Sequence, residues 1–294
     1  MSGIAIQVRN ISTVSLPDGQ AVAEFCRCKF VCEYHEIAFA KAGGEAHQKD
    51  YASFLAMQIS ASDSTVFKLL KDGAEVVTIT DSTYGDFYDI GDFSAQPLYT
   101  GWVADWTLIY TSFGGGSYQV EIEQTIAGLS TTWTSRKFRV CEYDVKLAHM
   151  TVRIETLQTG NILSSPFDYT DLLPDGWPQS IRIGGRFGDK TPTIETDRFL
   201  DTSYREIQNR DTVTFEYTLQ LRNCPQSVFN EIASDQVLAN SFIVTDYDVF
   251  SDVIYRAVPV VVDSFSEVNH FPNGNGNYSI TCSDTVKDTI KRNF

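Results

Sequence analysis

The stretch Thr212 to Arg222, TVTFEYTLQLR, carries the clearest secondary-structure pattern in this chain. Every second residue in it is apolar, and the apolar set is Val213, Phe215, Tyr217, Leu219 and Leu221. Because successive side chains of a strand point to opposite faces, this alternation predicts a β-strand with one buried and one solvated face. The second half of the chain is therefore expected to be built on a half-buried sheet.

A β-hairpin is the clearest signal in the first half. Asp72 and Gly73 stand between Val66–Leu70 and Glu75–Thr80, two segments rich in β-forming residues. An Asp-Gly pair adopts positive φ readily, as the tight turn of a hairpin requires. Farther along, the composition predicts strands at Tyr99–Tyr110 and at Tyr118–Thr125.

The chain is 294 residues long, a length typical of two domains. Short strands joined by Gly and Asp turns indicate sandwiches rather than a parallel α/β sheet. One helix is expected at about 225–239, where a proline can occupy the first turn and an apolar stripe follows. We predict a mainly β chain of two antiparallel β-sandwich domains, 1–138 all-β and 139–294 with the one helix.

Composition excludes several classes of function. There are 23 Lys and Arg against 38 Asp and Glu, a formal charge of −15, so direct nucleic-acid binding is not expected. No apolar stretch reaches the roughly 18–20 residues of a membrane span, and the start lacks the pattern of a signal peptide. We expect no membrane insertion and synthesis in the cytosol, where six sparse cysteines stay reduced.

Several residues are of types that bind metals, but packing in a core or a position in a turn explains them better. Cys26, Cys28, Cys32 and His35 are residue types that bind zinc, but the cysteines alternate along a predicted strand and are expected to pack in a core. Two aspartate clusters could hold calcium but lack its twelve-residue loop: Asp81, Asp86, Asp89 and Asp92, then Asp246, Asp248 and Asp252. We predict no metal, no cofactor and no catalytic residue, and keep an Asp- or Glu-dependent hydrolase only as a third alternative.

Aromatic residues in the first half support a different alternative. Tyr84, Tyr99 and Trp102 could form a platform on which sugar rings stack, although aromatic residues in strands usually pack the core. The long loop 160–179 carries Phe167, Tyr169 and Trp177, which need a partner surface. The alternative function is therefore a carbohydrate- or receptor-binding β-sandwich module, with a host glycan as ligand.

Several longer stretches resemble virion tail structural proteins of tailed bacteriophages infecting Bacteroidota, a group with distal tail, tail-tube and baseplate-like members. They are FKLLKDGAEVVTITDSTYGDFYDIG (67–91), LYTGWVADWTLIYTSFGGGSYQV (98–120), SIRIGGRFGDKTPTIETD (180–197), TFEYTLQLRNCPQSVFNEIASDQVLANSFIVTDYDVF (214–250) and SDTVKDTIKRNF (283–294). Together they cover about half of the chain. The resemblance is one of pattern, without a catalytic signature.

This resemblance implies a structural component of a distal tail, baseplate or connector ring. The C-terminal domain would form the ring, the N-terminal domain would be peripheral, and extended hairpins would pair around the ring. The implied partners are further copies of the chain, as a hexamer or trimer, and other tail proteins. The implied location is the virion, assembled in the host cytoplasm. The resemblance carries no active-site residue with it.

Ring closure by strand pairing needs free sheet edges. We predict them in Thr212–Arg222 and Val253–Val262, since Pro259 suits an edge or a bulge. The assembly residues predicted there are Thr212, Thr214, Glu216, Thr218, Val253, Tyr255 and Ala257. A Thr218→Pro change is expected to abolish the ring and leave the monomer folded.

Overall fold

The computed structural model describes residues 14–15, 21–22, 35–40, 50–58, 64–90, 98–126, 128–142, 149–160, 169–170, 173–188, 190–200, 202–204, 206–233, 237–247, 255–270, 275–285 and 288–291. The mainly β prediction is confirmed, with several antiparallel sheets in a sandwich-like arrangement. Neither of the two described α-helices is long and apolar enough to span a membrane.

The first half of the chain forms strands that pair mostly with near neighbours. They are β1 (Val14–Ser15), β2 (Ala21–Val22), β3 (His35–Ala40), β4 (Tyr51–Gln58), β5 (Ser64–Lys71), β6 (Ala74–Ile79), β7 (Gly85–Ile90), β8 (Leu98–Asp105), β9 (Gly116–Ile126), β10 (Leu129–Thr134) and β11 (Lys137–Glu142). The predicted hairpin is present as β5 and β6, and both turn residues have positive φ, 50° at Asp72 and 85° at Gly73.

Two sheets sandwich the first core. One sheet has the order β3-β11-β9-β5-β6, with β10 also paired to β9, and the other has the order β4-β8-β7. The pair β3–β11 is parallel, whereas the other pairs of these two sheets are antiparallel. Between the sheets lies an apolar core that includes Phe54, Phe67, Trp102, Trp106 and Phe138.

A helix interrupts the strand predicted at Tyr99–Tyr110. Strand β8 ends at Asp105, and α1 (Trp106–Phe113) follows directly. The carboxylate of Asp105 accepts hydrogen bonds from the backbone N–H groups of Thr107 and Leu108 at 2.8 and 3.2 Å. The prediction of a strand over Tyr99–Tyr110 was wrong after Asp105. The first N–H groups of a helix have no carbonyl partner in a preceding turn, and the Asp105 carboxylate at the N-cap accepts hydrogen bonds from two of them.

The second half forms one sheet that closes on itself. Its elements are β12 (Thr151–Gln158), β13 (Trp177–Phe187), β14 (Thr191–Leu200), β15 (Glu206–Pro225), α2 (Gln226–Glu231), β16 (Ser241–Tyr247), β17 (Tyr255–His270), β18 (Asn275–Asp284) and β19 (Asp288–Lys291). The sheet order is β13-β12-β16-β17-β18-β15-β14, and β13 also pairs with β15 through Gly185–Phe187. The strands of this unit therefore form two layers that are joined along both edges, and the second core lies between the layers.

Helix α2 starts where the sequence predicts a helix and ends earlier than residue 239. It packs against the core-facing side of β18, where the Phe229 ring stacks on Tyr278 with centroids 3.8 Å apart, and its Val228 lies in the second core. The predicted domain boundary at 138/139 falls inside β11, which pairs with strands of the first unit. The change from the first sheet to the second therefore lies after Glu142.

Candidate functional site

The residues predicted as a free edge in β15 lie in the interior of the sheet. Thr212 stands between Glu195 of β14 and Thr289 of β19, and Glu216 stands between Thr191 and Ser283. Thr214 pairs with Thr193. Thr218 pairs with Thr281, and on its other side its carbonyl accepts the N–H of Gly188. This strand therefore does not offer a main-chain edge, because β14, β18 and β19 flank it.

The second predicted edge, in β17, is paired along one side. Tyr255 pairs with Tyr247 and Ala257 with Thr245, both in β16, and the strand passes to β18 from Val260 onward. Val253 lies outside the described residues. Pro259 is opposite Ile243 of β16. The other side of β17 pairs with β18 from Val260 onward, and before Val260 no described strand pairs with that side.

Strand β14 is a free edge of this region. It pairs with β15 along its whole length and has no other ladder partner among the described residues. Nine of its ten residues are exposed. Its apolar residues share this exposure, with Ile194 at 63% and Leu200 at 61%, and Tyr204 in the following turn reaches 87%. The hairpin β14–β15 thus presents apolar side chains that no described core covers.

Contacts within the hairpin show how it keeps its shape without a core. Thr196 donates to the carboxylate of Asp211 at 3.0 Å, directly across the ladder. At its base, the Lys190 ammonium stands 3.7 Å from the centroid of the Phe215 ring. Cross-strand pairs of this kind stabilise a two-stranded ribbon by tenths of a kcal/mol to about 1 kcal/mol each.

Two of the three aromatic residues predicted as a ligand platform are packed in the interior. The Trp102 side chain is fully buried, with its ring centroid 5.7 Å from that of Phe54 and 6.3 Å from that of Phe67. Tyr99 is buried beside the second unit, so the faces of these two residues are not open to a sugar ring. Tyr84 is half-buried at the margin of the first core, with its ring centroid 5.3 Å from that of Phe113.

Two of the three loop aromatics, Tyr169 and Trp177, find their partner surface at a seam between the two units, and Phe167 lies outside the described residues. We define the seam as the contact of β4 and β8 with β13 and residues 169–177. Tyr169 and Trp177 are fully buried there with Leu55 and Tyr99. Because Leu55 and Tyr99 lie on the face of β4 and β8 opposite to the first core, this sheet is covered on both faces.

A buried ion cluster lies beside these aromatic residues. The Arg182 guanidinium donates to both carboxylate oxygens of Asp50, from Nε at 2.7 Å and from Nη2 at 3.0 Å. Arg153 stands 3.6 Å from Asp50 and also donates to Glu155. Tyr51 donates its hydroxyl proton to the carbonyl of Gln179, and burial, with the Glu155 charge adding to it, raises the pKa of this phenol well above its usual range.

A cleft of about 410 Å³ opens next to this cluster. It is lined from both units, by Tyr51, Asp86, Asp105 and Leu108 on one side and by Arg153 and Pro178 on the other. The carboxylates on its walls already have local roles, since Asp105 caps α1. The cleft carries no arrangement of nucleophile, base and orienting group that would indicate catalysis.

Within the described ranges, no three His, Cys, Asp or Glu side chains lie close enough together to hold a metal ion. Asp81 caps a short 3-10 turn, where a hydrogen bond from the Thr83 side chain and then one from its backbone lower the pKa of the carboxyl. Cys26, Cys28, Cys32, Asp92, Asp248 and Asp252 lie outside the described residues, as do the side chains of His35 and Asp246. No protein-family model matches this chain, and no curated protein sequence matches it.

Proposed function

We propose that this chain is a structural subunit that works by assembling into an oligomer, and that the assembly is part of a bacteriophage virion tail. The single observation that carries the assembly proposal is the exposed hairpin β14–β15 with its free edge. The tail assignment rests on the sequence resemblance. Proposed partners are other copies of the chain in a ring, together with further tail proteins.

An exposed edge strand of this length is unusual for a protein that acts as a monomer. Natural monomers shorten, cover or charge such edges, because unpaired N–H and C=O groups pair readily with another chain. β14 carries three charged residues, yet it is ten residues long and exposes Ile194, Phe199 and Leu200. Burying such side chains against a neighbour stabilises an interface by about 25 cal/mol for each Å² of apolar surface.

The charges on β14 favour pairing with a different surface rather than with a second β14. Two copies joined by the same edge are related by a two-fold axis, which sets one residue opposite itself. Centring that axis on Glu195, Asp197 or Arg198 places like charges opposite each other, and centring it on Thr196 places Glu195 opposite Asp197. Like charges directly opposite destabilise a ladder. A head-to-tail contact is favoured instead, and such contacts close into rings or continue as filaments.

The test is the mass and shape of the purified chain across a concentration series, by light scattering and negative-stain electron microscopy. We expect rings or stacked rings, and we expect Ile194→Lys to reduce assembly at least tenfold while its far-UV circular dichroism stays unchanged. The matched control is Leu129→Lys, because Leu129 is an equally exposed apolar residue, at 76%, in the first unit. Normal assembly of Ile194→Lys, or equal loss in both variants, would reject the hairpin as the contact.

The described aromatic residues do not favour sugar binding as a second function. The aromatic residues on which it rested are packed in a core or at the seam. Glycan-array binding that is lost in Trp102→Ala with the fold preserved would revive it.

A further inference from the structure

The two units of this chain have separate hydrophobic cores. The residues of the first core lie between Ala52 and Val140, and those of the second between Val152 and Cys282. Among the described residues, a small apolar cluster of Leu55, Tyr99, Tyr169 and Trp177 joins them at the seam, with Tyr88, Val103 and Leu173 packed against it. Parting at the seam would therefore expose that cluster and leave both main cores packed.

Ion pairs cross from one unit to the other at two places. The buried pair is Asp50–Arg182, with both carboxylate oxygens bonded. The second pair joins Arg136 to Glu231 of α2 at 2.9 Å, and both of its side chains are partly exposed. Asp50 and Arg182 are each 4% exposed, whereas Arg136 and Glu231 are 13% and 19% exposed. The Asp50–Arg182 pair is therefore the more buried of the two, and removing one partner of such a pair is strongly destabilising.

We propose that the Asp50–Arg182 pair is a charge-dependent latch between the two units, and that neutralising Asp50 opens the seam without unfolding either unit. This inference goes beyond the proposed assembly function and does not depend on it.

The charge balance of the cluster is the physical basis of the latch. Arg153 and Arg182 are both buried, and Asp50 is within ion-pair distance of each. Removing the Asp50 charge breaks the two-atom contact with Arg182, while Glu155 still pairs with Arg153. Breaking a buried ion pair from one side costs free energy, because the remaining charge loses a partner that it had inside the protein. The apolar cluster at the seam is smaller than either core, and local opening follows the weakest packing, so we expect the seam to part first.

Other titratable groups surround the same region and must be separated from Asp50 in a test. Tyr51 and Glu155 belong to the cluster, and Asp86 and Asp105 line the adjoining cleft. Glu231 belongs to the second inter-unit pair. Asp50→Asn removes one charge at constant pH and leaves the other groups unchanged.

The four tryptophans allow opening to be followed directly. Trp102, Trp106 and Trp133 lie in the first core, and Trp177 lies at the seam. Subtracting the signal of Trp177→Phe from that of the parent isolates the seam tryptophan. We expect Asp50→Asn at pH 7 to raise acrylamide quenching of Trp177 several-fold, with unchanged quenching of the other three and unchanged far-UV circular dichroism. Asp50→Glu should restore protection, and Asp89→Asn, at an exposed position of β7, should behave like the parent.

Two results would overturn the latch. One is an Asp50→Asn variant that folds and still protects Trp177 fully. The other applies if that variant does not fold, and it follows the wild-type chain through a urea titration at pH 7, in which the weakest packing opens first. Trp177 should then become quenchable before any loss of circular dichroism. Loss of both signals in one transition would show that the seam has no opening of its own.

Discussion

Gly101 of β8 lies directly against the indole ring of Trp177 in β13. A Cβ added to Gly101 would stand 2.5 Å from Cη2 and 2.9 Å from Cζ3 of that ring. Real Cβ contacts are not that short, so either the ring or strand β8 would have to move. The absence of one side chain therefore lets the two units approach this closely.

The first prediction is that Gly101→Ala destabilises the protein by about 1–3 kcal/mol, the usual range for overpacking a filled interior. Urea unfolding followed by circular dichroism measures the change. The matched control is Gly160→Ala, because a Cβ at Gly160 meets no atom within 4 Å. Equal effects of the two substitutions would mean that loss of backbone freedom, not the Trp177 contact, governs the result.

The second prediction concerns the start of α1. Asp105→Ala removes both hydrogen bonds that its carboxylate accepts from Thr107 and Leu108, and should lower the free energy of unfolding by about 1 kcal/mol. Asp105→Asn should retain most of the stability, because asparagine caps helices nearly as well. Thermal or urea denaturation of both variants tests this, and an Asn variant as unstable as the Ala variant would point to charge rather than capping.

The third prediction is a difference in thiol reactivity. Cys224 and Cys282 are buried, and burial raises the pKa of each thiol to about 12, whereas Cys141 is partly exposed. Because the thiolate is the nucleophile, iodoacetamide at pH 8 should alkylate Cys141 much faster than the other two. Peptide mass spectrometry after timed labelling assigns each rate. Rapid labelling of Cys224 in the folded protein would contradict the packing described for the second core.

The fourth prediction is a loss of stability at alkaline pH. Below the ordinary thiol pKa of 9.0, Cys224 and Cys282 are protonated in both the folded and the unfolded chain. Above it, the unfolded thiols ionise while the folded ones do not, so the free energy of unfolding falls as pH rises from 9 toward about 12. By pH 10 the loss should be about 1 kcal/mol for each thiol.

Urea midpoints at several pH values measure this loss. Cys224→Ala and Cys282→Ala should each flatten the slope between pH 9 and 10, whatever they do to stability at pH 7. Tyr118, whose pKa burial raises to about 12, ionises later and affects the slope above pH 10. Unchanged slopes in both cysteine variants would assign the alkaline loss to other groups.

Local patterns in the sequence predicted a good part of the fold. Asp72 and Gly73 predicted a hairpin because their backbone preference is intrinsic, and the structure has it. Helix α1 was missed although its signal is present. An aspartate precedes it, and Trp106, Ile109, Tyr110 and Phe113 have helical spacing. The β-forming character of the same residues favoured a strand instead.

Long-range pairing explains what the sequence could not predict. The alternation of Thr212–Arg222 predicts a strand with one buried face, but it is silent about the neighbours along each edge. Thr212 and Glu216 are flanked on both sides only because β14, β18 and β19 come together around β15. The sequence could not predict the seam either, because Asp50 and Arg182 are 132 residues apart in sequence.

The two covered faces of β4 and β8 have a consequence for synthesis of the chain. Everything needed for the first core is present once residue 140 has been made, but Leu55 and Tyr99 are covered by Tyr169 and Trp177, which come later. At ribosomal rates of about 5–20 residues per second, this interval lasts several seconds. During it, a nascent chain displays the apolar sheet surface that carries Leu55 and Tyr99. Slowed translation between these segments should therefore favour aggregation.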